Sequence, residues 1–270
     1  MKPHAAQAPC LNGEMDADRI DRRPRSPLKF ILLVFTLSVP FWLIGAVIDQ
    51  QYLPGLPLSA LGAFCPLLAA LVLVYQESRT AGVVALLKRS FDFARIRRKL
   101  WYAPILLLMP GVSMLVYGLM RWMSLPVPAP QFHVLATLLM FLGFFAGALG
   151  EELGWSGYAI DPMQARWQAL QASLLLGMVT ALWHISPLVQ AHRPAVWMAW
   201  WFLYAVAARV LIVWLYNNTG KSVFAAALFH TMLNLSWMLF PLYGSHFDVR
   251  LAGLVTALVA AVVVLLWVRP

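Results

Sequence analysis

The stretch Leu135-Ala-Thr-Leu-Leu-Met-Phe-Leu-Gly-Phe-Phe-Ala-Gly-Ala-Leu-Gly-Glu151-Glu152-Leu-Gly-Trp-Ser-Gly-Tyr158 is an apolar run that carries two adjacent carboxylates near its end. Its length matches the roughly 20 residues that a helix needs to cross a hydrocarbon core of about 30 Å. Of the eleven acidic residues, nine fall in the N-terminal tail or in segments between apolar runs: Glu14, Asp16, Asp18, Asp21, Asp49, Glu77, Asp92, Asp161 and Asp248. Only Glu151 and Glu152 lie within or beside such a run. A carboxylate at membrane depth costs at least about 2.5 kcal/mol, so the pair marks a candidate functional centre.

The wider chain supports a membrane setting. It has 270 residues, 61% hydrophobic and 11% charged, with a mean hydropathy of +0.74, far from the composition of a soluble domain. Apolar runs occur near 28–48, 58–75, 101–120, 135–158, 169–188, 195–216, 222–240 and 251–268. The expected fold is therefore all-α and polytopic, with about eight transmembrane helices and an intramembrane site. The chain divides into a basic tail, 1–27, and one transmembrane domain, 28–270, with no repeat, low-complexity tract or long linker. About thirty polar residues precede the first run and no small-residue cleavage site follows it, so that span is expected to remain as an anchor. Cys10 and Cys65 are far apart and have neither metal-type nor disulfide-framework spacing.

The net charge of +9 follows topology rather than a polar nucleic-acid-binding domain. Lys2, Arg19, Arg22, Arg23, Arg25, Lys29, Arg79, Lys88, Arg89, Arg95, Arg97, Arg98, Lys99, Arg166, Lys221 and Arg269 fall on one side of an eight-helix chain; Arg121, Arg193 and Arg250 fall on the other. Positive residues collect on the cytoplasmic side, which predicts both termini in the cytoplasm. The mixed apolar and basic segment 82–99 is expected to lie along the inner membrane surface or to serve as a solvated loop that sets topology.

Within the spans the polar residues are few: Glu151, Glu152, His184, Arg209, His230 and Asn234. His230 and Asn234 are four apart and share a helix face. Taken singly, a membrane His or Asn is more often an interhelical hydrogen-bonding group than a catalyst; their conjunction with two carboxylates points to chemistry. Glu151, His184 and His230 supply the His₂Glu donor set of catalytic zinc sites. The same residues also suit a metal-free site in which a glutamate and a histidine activate water while the other His and Asn234 steady an oxyanion. A proton-coupled transporter and a non-catalytic membrane scaffold are the alternatives. Gly143, Gly147 and Gly150 have the small-residue spacing of a helix-packing face.

The order Glu151-Glu152-x-x-Trp155-x-Gly157-Tyr158, then Trp183-His184, then His230-x-x-x-Asn234 resembles the CPBP intramembrane proteases, a family that includes type II CaaX prenyl proteases and bacteriocin-processing or self-immunity proteins. The resemblance extends from about Phe141 to Trp237. It implies a membrane-embedded endopeptidase acting on a membrane-associated peptide or protein substrate; the expected setting, from the style of the sequence, is a bacterial cytoplasmic membrane. It implies Glu151 as catalytic base, Glu152 as its supporting acid, and His184, His230 and Asn234 as the rest of the site, with a divalent metal such as zinc an open question. Two positions depart from the family pattern: Ser156 stands where the family has Arg, and Thr180 where it has Phe. Ser156 lies four residues after Glu152 on the same helix face, so Glu152 lacks its usual counter-charge, and Arg209, the basic residue deep within a span, is the expected substitute.

Depth gives a further expectation. At about 1.5 Å per helical residue, His230 lies roughly 12 Å and Glu151 roughly 10 Å from the basic side if the helix of Glu151 ends at Tyr158. His184 would lie roughly 22 Å deep. An interfacial helix from Pro162 to Ala172 would reconcile them by starting the following span later. Water is expected to reach Glu151 through a cavity that opens on the basic, cytoplasmic side.

Overall fold

The computed structural model describes residues 25–48, 50–53, 55–241 and 244–267. Most of the basic tail, including Cys10, lies outside these residues, as do Asp49 and Arg269. The described chain is helical apart from one short antiparallel pair, β1 (Gln51–Leu53) with β2 (Leu56–Pro57). The helices are α1 (Pro27–Val47), α2 (Cys65–Lys88), α3 (Tyr102–Trp122), α4 (Val134–Gly154), α5 (Ile160–Gln164), α6 (Ala169–Trp183), α7 (Ile185–Gln190), α8 (Ala195–Asn218), α9 (Val223–Leu239) and α10 (Val249–Trp267).

Among the described residues, seven helical stretches are long and apolar enough to cross a membrane, and α9 is a shorter apolar helix. Together they coincide with the eight runs in the sequence, so the chain is an all-α polytopic membrane protein. Large apolar side chains such as Leu107, Leu135, Leu258 and Leu265 project from the bundle, as a lipid-facing surface requires, since nothing in lipid drives them inward.

Two apolar clusters hold the bundle together. One joins α3, α8, α9 and α10 around Met109, Leu211, Leu215 and Phe229. The other joins α1, α2, α6 and the end of α4 around Phe30, Trp155, Tyr158 and Leu176. Helix α4 packs on α2 and α9, and α8 packs on α6 and α10, so the α4 carboxylates lie where the clusters meet. Polar contacts fasten the seams. Trp183 Nε1 donates to Ser38 Oγ at 2.7 Å, linking α6 to α1, and Gln190 donates to the Trp42 carbonyl at 2.8 Å.

Helix α4 does not stop at Tyr158. A single π-helical turn, Trp155–Ala159, carries it into α5, with the Ile160 amide donating to the Trp155 carbonyl. The buried side chains of Tyr158, Ile160 and Met163 continue the apolar face, so the helix keeps packing to Gln164. The expected interfacial helix from Pro162 to Ala172 is therefore absent: the chain turns over 165–168 and α6 starts at Ala169.

The basic end of the bundle is closed by a hydrogen-bonded plate. Helix α2 breaks at Arg79, whose φ is 52°, and the 80–101 segment folds over the start of α9. Leu86 and Ile96 are buried there, so this segment does more than lie on a surface or set topology. Asp92 accepts from Ser222 Oγ at 2.7 Å and from the Phe224 amide at 3.1 Å, while Ser222 Oγ accepts from the Ala225 amide. A carboxylate and a serine thus satisfy the free N–H groups of the first turn of α9 and complement its dipole. Arg89 donates to the carbonyls of Gly157 and Lys221 and to the Tyr216 hydroxyl, at 2.8 to 2.9 Å. Asp161 is 3.0 Å from Lys221 Nζ and accepts from Tyr216.

Candidate active site

Glu151 and Glu152 occupy adjacent positions on α4 and are both buried, but they face different surroundings. Glu152 is fully enclosed by partners. Both of its oxygens lie 2.9 Å from Arg209 Nη1 on α8, His230 Nδ1 on α9 lies 2.9 Å from Oε1, and Ser156 Oγ donates to Oε2. The missing family arginine is thus matched by Arg209, which reaches the same carboxylate from another helix, and Ser156 adds a hydrogen bond of its own. A buried ion pair with its remaining lone pairs occupied is the arrangement in which desolvation is best offset.

Glu151 has no comparable set of partners. Its Oε2 is buried without a hydrogen-bond partner among the described residues, and its Oε1 lies 4.0 Å from His184 Nε2. That gap is too long for a direct hydrogen bond; one water molecule placed between them would bond to both. His184 ends α6, and its Nδ1 is 2.8 Å from the Thr180 carbonyl, one helical turn back. A carbonyl can only accept, so Nδ1 carries a proton and Nε2 is the ring nitrogen turned toward Glu151. The ring is held between Trp183 and Trp201, with centroids 4.7 and 5.2 Å away. By the same reasoning, Nδ1 of His230 donates to Glu152.

The residues singled out in the sequence converge on one cavity of about 650 Å³, lined by Glu151, His184, Arg209, His230 and Asn234. The depth conflict disappears because α4 runs on through α5. Glu151 lies thirteen residues before Gln164, roughly 20 Å along the helix, which matches His184 at roughly 22 Å from Ala169. The shorter distance of His230 from the start of α9 is made up by the plate that covers Ser222.

Two features of the cavity differ from expectation. It extends to Gly55, Pro57, Leu188, Arg193 and Trp237, at the end opposite the basic plate, and none of Arg89, Asp92, Asp161 or Lys221 borders it. The expected opening on the basic side is thus overturned, because the plate fills that end. The glycines also divide into two pairs. A Cβ on Gly150 would meet the Ala63 carbonyl at 2.9 Å, and one on Gly154 would meet the Pro66 carbonyl at 2.5 Å, so these two let α4 approach the start of α2 and the turn before it closely. A Cβ on Gly143 or Gly147 would meet nothing within 4 Å. Both line the cavity one and two helical turns before Glu151, so they leave space rather than pack helices.

The histidines have the tautomer that a metal ligand needs, with Nδ1 engaged and Nε2 open. The geometry does not complete a metal site: among the described residues, no three His, Cys, Asp or Glu side chains stand close enough to hold an ion. Sequence reasoning did not find Thr180 as the group that orients His184, although its four-residue offset was visible, because a main-chain acceptor has no residue-type signature.

Residues 133–236 match the family described as type II CAAX prenyl endopeptidase Rce1-like, a span that contains every cavity residue named in the sequence motifs. The chain is also similar to CAAX prenyl protease 2 of Methanococcus maripaludis, 26% identical over 233 residues that cover 78% of this chain and 83% of the relative. With the three motifs brought to one intramembrane cavity, these likenesses support an intramembrane endopeptidase, a hydrolase that acts on peptide bonds, similar to the CPBP proteases.

Proposed function

We propose that Glu151 is the general base of this endopeptidase and that it acts on an extended, membrane-associated peptide or protein terminus. The observation that carries the reading is the buried Glu151 carboxylate, with one oxygen unpartnered among the described residues and the other 4.0 Å from His184 Nε2, on the wall of a cavity large enough for a peptide segment. A water between Glu151 Oε1 and His184 Nε2 donates one hydrogen to each and turns an oxygen lone pair toward the scissile carbonyl. As the C–O bond forms, the water proton passes to Glu151, which returns it to the amide nitrogen as the C–N bond breaks. The Asn234 amide donates to the carbonyl oxygen as it gains charge. Glu152, held by Arg209 and Ser156, fixes the His230 ring beside it.

A zinc ion on Glu151, His184 and His230 would act as a Lewis acid in the same cavity, but it requires those three side chains to move together, so no step here depends on it. The wall is mostly apolar and aromatic, with Phe144, Trp183, Trp197 and Trp237, which suits an apolar segment. A substrate that remained helical in lipid would keep its peptide bonds in internal hydrogen bonds; an extended terminus exposes them. The relative's name supports a protein C-terminus as one such substrate. The proposed setting is a bacterial cytoplasmic membrane with both chain ends in the cytoplasm. An intramembrane carboxylate also suits a proton-coupled transporter, which the family assignment disfavours.

The test compares membrane peptides, by mass spectrometry, in cells carrying the wild type or Glu151→Ala. A peptide that accumulates in the variant, and that purified wild type cleaves, is the expected result. Identical peptide profiles, with equal cleavage by both purified proteins, would overturn the proposal.

A further inference from the structure

We infer that the cavity is entered from the non-cytoplasmic face of the membrane, so that the enzyme acts on peptide segments presented outside the cytoplasm. The substrate class rests on the proposed function above; the sidedness rests on the structure and the charge distribution alone.

The two ends of the bundle differ in charge and in closure. Among the described residues, eleven basic side chains lie at the end that carries the start of α1 and the 76–101, 165–168 and 219–222 connections, and three lie at the other end. An excess this large orients a membrane protein with its basic end in the cytoplasm. That same end is sealed. Arg89 ties the α4 extension to the α8–α9 turn, Asp92 caps α9, the Gln164 and Asn217 amides pair across α5 and α8, and Gly154 to Ile160 are buried throughout. The cavity instead leads from Glu151 and His230 past Gly147 and Gly143 toward β2, Arg193 and Trp197. A peptide approaching from the basic end would have to break the plate; one approaching from the other end meets an open, largely aromatic wall.

Cysteine accessibility tests this in the full-length protein with Cys10→Ser and Cys65→Ala as background. Ala60→Cys places a thiol on the cavity wall, Arg97→Cys on the exposed outside of the plate, and Arg250→Cys at the exposed start of α10, at the cavity end. A membrane-impermeant sulfonated maleimide is added to intact cells and to inside-out vesicles. The expected result is modification of Ala60→Cys and Arg250→Cys in intact cells, at least tenfold faster than in inside-out vesicles, with Arg97→Cys showing the reverse. Modification of Ala60→Cys together with Arg97→Cys only in inside-out vesicles overturns the inference, as does an Ala60→Cys thiol that stays unmodified in both preparations.

Labelling needs no turnover, so it is repeated on the Glu151→Ala variant. Outward labelling with cleavage indifferent to Glu151→Ala would keep the sidedness and remove the proposed function; inward labelling with cleavage lost would do the opposite. The substrate class has its own readout. The peptide that accumulates in Glu151→Ala cells should be digested by a protease added to intact cells, and its full protection would overturn the outward location.

Discussion

Removing the Arg209 guanidinium should damage stability and chemistry by separable routes. In Arg209→Ala the Glu152 carboxylate remains fully buried, keeps Ser156 and His230, and loses its permanent counter-charge. Breaking one side of a buried ion pair costs about 3 to 5 kcal/mol. For a chain of this size that corresponds to a fall in Tm on the order of 10 °C, measured on detergent-purified protein. Two companion variants identify the cause. Ser156→Arg in the Arg209→Ala background places a guanidinium one helical turn from Glu152, on the side where Ser156 already bonds to it, and should recover at least half of the lost Tm. The double variant Glu152→Gln, Arg209→Met removes both charges and should also recover most of the Tm, because replacing both partners leaves no uncompensated charge. Its cleavage activity should stay low, since the carboxylate that holds His230 Nδ1 is gone. An Arg209→Ala protein as stable and active as wild type would refute the reasoning. So would a double variant no more stable than Arg209→Ala alone.

Glu151→Gln should lower cleavage by about 10²-fold to 10⁴-fold, the usual worth of a general base, with Tm unchanged or raised, because the carboxylate has few partners to lose; a kinetic assay and a thermal melt on one preparation check both. Gly147→Leu should reduce kcat/KM at least tenfold with Tm within about 2 °C of wild type, since its side chain enters the cavity, whereas Gly154→Ala should lose about 1 to 3 kcal/mol of stability by overpacking against Pro66. Dialysis against a strong chelator should leave cleavage intact, and elemental analysis should find less than stoichiometric zinc; full loss on chelation with recovery on added zinc would show that Glu151, His184 and His230 close around an ion.

Much of this arrangement was legible in the sequence because hydropathy fixes which segments lie in the bilayer and charge is scarce inside it. Among the described residues each of the eight runs became a helix, and Glu151, His184, Arg209, His230 and Asn234 met at one cavity, with Glu152 paired to Arg209 and His230 beside it. The pairing of Arg209 with Glu152 was readable from the absence of any other deep cation. What hydropathy does not encode is where a helix ends once its apolar face continues around a corner. Tyr158 read as a terminus, although Ile160 and Met163 keep the face packed to Gln164, and the depth estimate for Glu151 was therefore short by about half. The closure of the basic end was hidden for a related reason. Arg89 and Asp92 look like surface charges until they fold back onto carbonyls and amides supplied by segments more than sixty residues away. Gly143, Gly147 and Gly150 follow one another at spacings of four and three residues, and only the neighbouring segment shows which of them touch anything.

The π-helical turn at Trp155–Ala159 can be viewed as a one-residue insertion retained within α4. A π turn accommodates an extra residue in an otherwise regular helix, and each residue corresponds to about 100° of helical rotation. Deleting one residue between 155 and 159 would leave the cavity-facing Glu151 and its enclosed neighbour Glu152 where they are. It would also swing Asp161 and Gln164 about a quarter turn away from Lys221 and Asn217. The same helix thus belongs to two registers, one set by the reaction chamber and one by the seal at the basic end, and the extra residue lets each be adjusted by substitution without shifting the other.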